Sequence, residues 1–92
     1  NGPEELNANP GYGVYLSGVK KSKISSNIMN DNQWGVYIDG GVDHMVLSNT
    51  ATYNDVGYEL NQAPNSLING NISQNNGKGF VDNSEFNVYF KN

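Results

Sequence analysis

The sequence predicts an all-β solenoid of about four coils, in which short strands lie parallel from one coil to the next. Three observations lead to this prediction: a 22-residue repeat, an asparagine content of 17 in 92 residues, and short apolar bursts of β-branched and aromatic residues. No window carries the sustained 3.6-residue period of an amphipathic helix, and the bursts alternate as strands do.

The repeat is anchored by glycine. The segments GVYL, GVYI, GYEL and GFVD recur at a constant 22-residue interval and begin at Gly13, Gly35, Gly57 and Gly79. Asparagine recurs in the same frame, three residues before the glycine in the later copies, at Asn32, Asn54 and Asn76. A second asparagine column follows the glycine by fourteen residues, at Asn27, Asn49 and Asn71. A fixed period of this length indicates a repeat architecture.

Apolar residues occupy four further columns of the frame. Two columns follow the glycine directly: Val14, Val36, Tyr58 and Phe80, then Leu16, Ile38 and Leu60 with Asp82 breaking the series. Two lie further along the coil: Ile24, Val46, Ile68 and Phe90, then Ile28, Thr50 and Ile72. If identical positions stack, each apolar column becomes a ridge of the core and each asparagine column becomes a hydrogen-bonded ladder.

Three short strands joined by polar bends account for a 22-residue coil. A leucine-rich repeat has a similar length, but its signature of closely spaced leucines is absent. Stacked coils would lie at the strand spacing of roughly 4.8 Å. Asparagine also tolerates the left-handed backbone conformation that tight bends need.

The pattern N-x-x-G-[VYF]-x-[LI], followed by S-N-x-x or G-N-I, resembles the repeats of pectin-lyase-like proteins. The resemblance covers nearly the whole chain, from Asn7 to Asn92. It implies a right-handed parallel β-helix with three short strands per coil. Proteins of this kind include polysaccharide lyases, hydrolases and epimerases, phage tail spikes and surface proteins, so the fold leaves the function open.

The ends of the chain depart from the repeat. Residues 1–12 are polar and are predicted to form an N-terminal cap or linker, and residues 13–92 to form the coils. Asp82 and Glu85 interrupt the last coil, and no C-terminal cap is visible. We therefore expect the coils to belong to a longer solenoid or to an end-to-end assembly of identical chains.

Composition excludes several classes of function. Arginine is absent and the net charge is −4, which disfavours binding to nucleic acid. Cysteine is absent and a single histidine is too few for a zinc site. No apolar run is long enough for a membrane span. An extracellular, cell-surface or virion location fits the predicted architecture.

The candidates for catalysis are three acidic residues of the second coil: Asp31, Asp39 and Asp43. The resemblance implies calcium-binding acids with an arginine or lysine base in lyases, and clustered aspartates in hydrolases. Solvated bend aspartates explain the same residues, so no catalytic residue is assigned. Carboxylates could bind calcium, but the nonapeptide calcium repeat is missing and no cofactor is predicted. His44 is expected to face inward and to be hydrogen-bonded at a corner.

Aromatic residues on the outer face of the predicted strands are the candidate binding site. Tyr12 and Trp34 occupy equivalent places in successive coils, and so do Tyr15 and Tyr37. Asp39, Asp31, Asn30 and Asn32 are expected to rim this patch. Such a patch suits a sugar, a protein partner or simple cross-strand packing. A second outward stripe is predicted at Lys23, Met45, Leu67 and Tyr89.

The leading hypothesis is a non-catalytic structural and recognition module of a surface, secreted or phage-tail protein, which presents a side face to a glycan or a protein. A segment of a polysaccharide lyase, hydrolase or epimerase is the first alternative. A self-stacking filament subunit is the second.

Overall fold

The computed structural model describes residues 11–90 and residue 92. Within this part of the chain there are eleven strands and no helix, and hence no helix that could cross a membrane. In chain order the strands are β1 (Tyr12–Ser17), β2 (Lys23–Ser25), β3 (Ile28–Asn30), β4 (Trp34–Asp39), β5 (Met45–Leu47), β6 (Thr50–Thr52), β7 (Val56–Asn61), β8 (Leu67–Asn69), β9 (Ile72–Gln74), β10 (Lys78–Asn83) and β11 (Val88–Phe90).

The strands form three parallel sheets that run along the solenoid. The first sheet has the order β1-β4-β7-β10, the second β11-β8-β5-β2 and the third β3-β6-β9. Each complete coil contributes one strand to each sheet, and partners in the first three coils are one 22-residue period apart, as in the pair Val14 and Val36. The prediction of a parallel β-helix of about four coils with three strands per coil is confirmed.

Three of the predicted apolar columns face the interior. Val36, Ile38 and Val46 have no solvent exposure, and Tyr58 is equally buried in the column that begins with Val14. The Tyr58 ring stacks on Phe80 of the next coil, with 4.7 Å between the ring centroids. Vertical stacking of like residues therefore builds the core.

The fourth predicted column is wrong. Ile28 is 66 % exposed and Ile72 is 47 % exposed, so this column faces solvent. Each strand of the third sheet has only three residues, and the middle one points inward. The inner column of this sheet is Met29, Ala51 and Ser73.

Asparagine serves mainly in ladders. In the first ladder the Oδ1 atom of Asn49 accepts hydrogen bonds from the backbone and side-chain nitrogens of Asn27, at 2.9 and 3.1 Å. The Nδ2 atom of Asn49 donates to Ile24 O and to Oδ1 of Asn71. The same pattern links Asn54 to Asn76 in the second ladder. Among the described residues only two asparagines, Asn65 and Asn75, have a positive φ, so the expected role in bends is minor.

The fourth coil is one residue shorter. The bend between β7 and β8 spans residues 62–66, whereas the bend between β10 and β11 spans only 84–87. Val88 therefore pairs with Leu67 and Tyr89 pairs with Ile68. The predicted places of Phe90 in the inner column and of Tyr89 in the outward stripe are both wrong, because one missing residue moves every following side chain to the other face.

Candidate functional site: an outer aromatic cluster

Four aromatic rings form one stacked group on the outer face of the first sheet. The group, called the aromatic cluster below, consists of Tyr12, Tyr15, Trp34 and Tyr37. Neighbouring ring centroids are 4.7 to 5.7 Å apart and the ring planes are within 27° of parallel. The predicted grouping of these four side chains is present.

A glycine between each aromatic pair explains why both rings face outward. Strict alternation would place residues three apart on opposite faces. The register passes from the pair Tyr12–Trp34 directly to the pair Val14–Val36, and the intervening glycine interrupts the alternation. A Cβ atom on Gly35 would lie 2.5 Å from the Gly57 carbonyl oxygen and 3.0 Å from the Ala51 Cβ atom. This close approach to the next coil requires glycine.

The rings use much of their surface against one another. Tyr15 is 47 % exposed, and the other three rings are half-buried. Burial raises the pKa of the Tyr12 hydroxyl above its ordinary value, and the negative charges that Tyr15, Tyr37 and Glu59 carry when deprotonated raise it further. Tyr15 is therefore the most open member of the cluster.

Glu59 is the acidic residue that contacts the cluster directly, and it is not among the site residues predicted from the sequence. The indole Nε1 of Trp34 donates a 2.8 Å hydrogen bond to Oε1 of Glu59. Asn61 Nδ2 donates to Oε2 of Glu59 and to the hydroxyl of Tyr37, both at 3.0 Å. The repeat could have predicted that Glu59 lies beside the cluster, because Glu59 follows Tyr15 and Tyr37 at the same repeat position.

Asp39 lies on the same outer face as the cluster. It ends β4, is exposed, and pairs with Asn61 of the next coil, which itself contacts Tyr37. Of the two predicted rim asparagines, Asn32 is 8 % exposed and belongs to the second ladder, where its backbone nitrogen donates to Asn54. Asn30 accepts a hydrogen bond from Thr52 on the third sheet.

The candidate catalytic acids are spread along the second coil. Asp31 and Asp43 are exposed bend residues with φ of 59° and 63°. Asp31 precedes β4 whereas Asp39 ends it, so a strand length of roughly 17 Å separates them. Glycosidase carboxylates stand roughly 5 to 9.5 Å apart. The pair Asp31 and Asp39 therefore does not have the spacing of a glycosidase site.

His44 is a buried corner residue. It is 1 % exposed, its Nδ1 atom accepts a hydrogen bond from the Ser22 backbone nitrogen at 3.3 Å, and its Nε2 atom lies 3.2 Å from the Gly40 carbonyl oxygen. These contacts assign the proton to Nε2, which donates to Gly40. Both ring nitrogens are thus used within the fold.

A shallow cleft lies at the bends of the third and fourth coils. Its volume is about 470 Å³, and its lining includes Gln62, Asn65, Glu85 and Phe86. Phe86 is 76 % exposed and has a φ of 65°, a conformation that bulky residues rarely adopt. The cleft lies beside the shorter bend, and its lining contains no residue of the aromatic cluster.

Metal ligands do not converge in the part of the chain that the structure describes. No group of three or more histidine, cysteine, aspartate or glutamate side chains is close enough to hold a metal ion there. The described residues therefore also lack a group of carboxylates that could form the calcium site considered from the sequence.

Comparison with known families gives a match over nearly the whole chain. The model of the family described as NosD, periplasmic copper-binding protein, matches residues 4–92. Neither the curated proteins nor the solved structures give a significant match to the chain.

The described residues do not fit a copper ion. Copper ligands in proteins are histidine, cysteine and methionine side chains above all. The chain has no cysteine, and its single histidine is buried with both nitrogens engaged. Met29 is 1 % exposed in the core and Met45 lies on a different sheet.

Proposed function

The chain belongs to the NosD family, and from this premise we propose that it is a non-catalytic recognition module of a periplasmic or otherwise secreted protein. The module binds a partner protein through the aromatic cluster. The observation that carries the proposal is the stacking of four rings on the outside of a sheet whose inner face is already filled.

The fold does not need these aromatic side chains. The first sheet continues with the same parallel pairing through the third and fourth coils. There, the column of Tyr12 and Trp34 contains Val56 and Lys78, and the column of Tyr15 and Tyr37 contains Glu59 and Val81. Since the parallel pairing continues without aromatic residues at these positions, this comparison supports a role outside the fold for those in the first two coils.

The geometry favours a protein partner over a glycan. A sugar chain needs several open ring faces, whereas here the rings stack on one another and only Tyr15 is largely open. A rigid group of tyrosine and tryptophan edges with hydroxyl groups is typical of interface anchors, because little side-chain entropy is lost when it binds. The hydrogen bonds to Glu59 and Asn61 hold the rings in place before a partner arrives.

The other candidate functions lack such an observation. Asp31 is too far from Asp39 for a glycosidase pair, and no copper role is proposed, because the described residues offer no ligand set for copper. Glycan binding and end-to-end stacking of coils stay predictions, to be measured on a glycan array and by light scattering over a range of concentrations.

A photo-crosslinking amino acid at position 15 tests the proposal in cells that make the whole protein. Ile72 is the matched control position, since it is also 47 % exposed but lies on the third sheet. We expect a discrete cross-linked protein at position 15, absent at position 72 and lost when Tyr37→Ala is added. Equal products at both positions, or none at position 15, would contradict a protein-binding role.

A further inference from the structure

We propose that the aromatic cluster binds a basic segment of its partner protein, with arginine side chains placed against the rings and beside Glu59. This inference rests on the proposed function and deepens it, because it names the chemistry of the partner. The negative charge of the second and third coils, the hydrogen bonds of Glu59 and the exposed ring of Tyr15 support it.

The middle of the chain carries negative charge only. No lysine or arginine lies between Lys23 and Lys78, whereas five carboxylates do: Asp31, Asp39, Asp43, Asp55 and Glu59. Three of the described lysines, Lys20, Lys21 and Lys23, lie in the bend after β1 and in the second sheet. The second and third coils, which hold half of the cluster and its acidic neighbour, therefore have a net negative charge, and the lysine nearest to them on this face is Lys78, which follows Val56 in the column of Tyr12 and Trp34.

Glu59 is held in place without being neutralised. Its two carboxylate oxygens accept hydrogen bonds from Trp34 Nε1 and Asn61 Nδ2, which are both uncharged donors. Within residues 11–90 no ion pair is formed by this side chain or by Asp39. Each oxygen keeps a lone pair for a further donor, so the site has a fixed carboxylate ready for a cation.

Aromatic rings beside a carboxylate suit a guanidinium group better than an ammonium group. The guanidinium plane stacks on a ring through cation–π attraction and donates two hydrogen bonds in a fork that matches a carboxylate. Tyr15 offers the most open ring of the cluster, and Glu59 lies two coils beyond it in the same column, so one arginine would stack on Tyr15 and a second would pair with Glu59. A lysine would supply charge but neither stacking nor the bidentate contact.

The emission of Trp34 gives a direct measurement, because it is the chain's only tryptophan and a member of the cluster. The whole chain is titrated with three short unstructured peptides of equal length, in which glycine alternates with arginine, lysine or glutamate. We expect saturable changes with the arginine peptide, weaker binding of the lysine peptide and no binding of the glutamate peptide. Added salt should weaken the arginine peptide's binding.

Two glutamine variants separate a local effect of Glu59 from a general loss of charge. Glu59→Gln keeps an oxygen acceptor for the Trp34 indole but removes the charge, and should weaken arginine-peptide binding about fivefold. Glu85→Gln makes the same change in the bend after β10, away from the cluster, and should change binding less than about twofold. Each variant's thermal unfolding is compared with that of the parent chain to confirm that it is folded.

The outcomes distinguish this inference from the proposed function. Equal binding of the arginine and glutamate peptides, no binding of any peptide, or equal effects of the two variants would overturn the basic-partner inference. A cross-linked partner at position 15 would still support protein recognition in that case. If the partner captured there contacts position 15 through an acidic or uncharged segment, the inference is wrong and the proposed function stands.

Discussion

The second and third coils differ from the fourth in where they place polar and aromatic groups. In the second coil the interior is apolar, with Val36 and Ile38 fully buried, and the aromatic side chains Trp34 and Tyr37 lie outside. In the fourth coil Asp82 takes the inner position equivalent to Leu60, and Tyr89 takes the one equivalent to Ile68.

A hydrogen-bonded group makes this polar interior possible. Asp82 accepts from the hydroxyl of Tyr89 at 2.8 Å, from Nδ2 of Asn87 at 3.0 and 2.9 Å, and from the backbone nitrogen of Ser84 at 3.0 Å. Tyr89 reaches Asp82 only because the preceding bend is one residue short. A single missing residue thus moves the side chains of a strand to the opposite faces, and the inward acid and the inward tyrosine then form a hydrogen bond with each other.

The largest expected contrast between these regions concerns the asparagine ladder. Asn49→Ala should lower the free energy of unfolding by roughly 3–5 kcal/mol, because it leaves the buried carbonyl of Ile24 and the backbone nitrogen of Asn27 without partners. Asn92→Ala in the exposed last rung should cost about 1 kcal/mol, since water replaces its contacts. Urea denaturation followed by circular dichroism measures both. Similar losses for the two variants would show that burial does not set the ladder's strength.

The glycine column supplies a smaller contrast. Gly35→Ala should destabilise the chain by roughly 2–3 kcal/mol, because its Cβ atom would meet the Gly57 carbonyl oxygen at 2.5 Å. Gly79→Ala should change stability by no more than about 1 kcal/mol, since its nearest contact is the Ser73 Oγ atom at 3.4 Å. Thermal denaturation of the pair tests the point, and a tolerated Gly35→Ala would contradict the close approach between the second and third coils.

The smallest expected difference between the third and fourth coils is in how alkaline pH lowers the stability of the chain through Tyr58 and Tyr89. Burial raises the pKa of Tyr58, and burial together with the hydrogen bond to Asp82 raises the pKa of Tyr89. The folded chain keeps these protons where the unfolded chain loses them, so their contribution is complete below about pH 10 and falls as the pH rises further.

Tyr58 and Tyr89 should contribute unequally to this loss of stability at alkaline pH. Tyr58→Phe should flatten the fall in stability between about pH 9 and about pH 11 more than Tyr89→Phe, because Tyr58 is fully buried and Tyr89 is 38 % exposed. Urea midpoints at the two pH values measure this. A larger effect of Tyr89→Phe would instead assign the alkaline sensitivity to the fourth coil.

The repeat itself carried most of the fold prediction. The inner columns through Val36, Ile38 and Val46 and the two asparagine ladders were predictable, because a constant 22-residue period makes equivalent side chains stack. The column through Ile28 was placed on the wrong face, because a three-residue strand shows too little alternation to reveal which residue points inward. The side chains of the last strand were predicted on the wrong faces. After the shorter bend, both the 22-residue and the 21-residue pairing place an aromatic residue in the inner column, Phe90 or Tyr89, so the sequence does not distinguish them.

The sequence predicted which aromatic residues form the candidate site, but not how their rings stack or which acid contacts them. Column positions alone grouped Tyr12 with Trp34 and Tyr15 with Tyr37. That the rings stack on one another, and that Glu59 rather than Asp31 contacts them, depends on side-chain directions across three coils.

The coil length, the parallel stacking and the residues that share a column follow from the repeat, because a solenoid places residues one period apart in contact along its axis. The folded structure is needed to see which face each column occupies in the short strands, how Asp82 and Tyr89 of the fourth coil meet, and which acid contacts the aromatic cluster. Those outcomes depend on bend lengths of a single residue and on contacts between residues 25 positions apart, such as Trp34 with Glu59. No local pattern records such contacts.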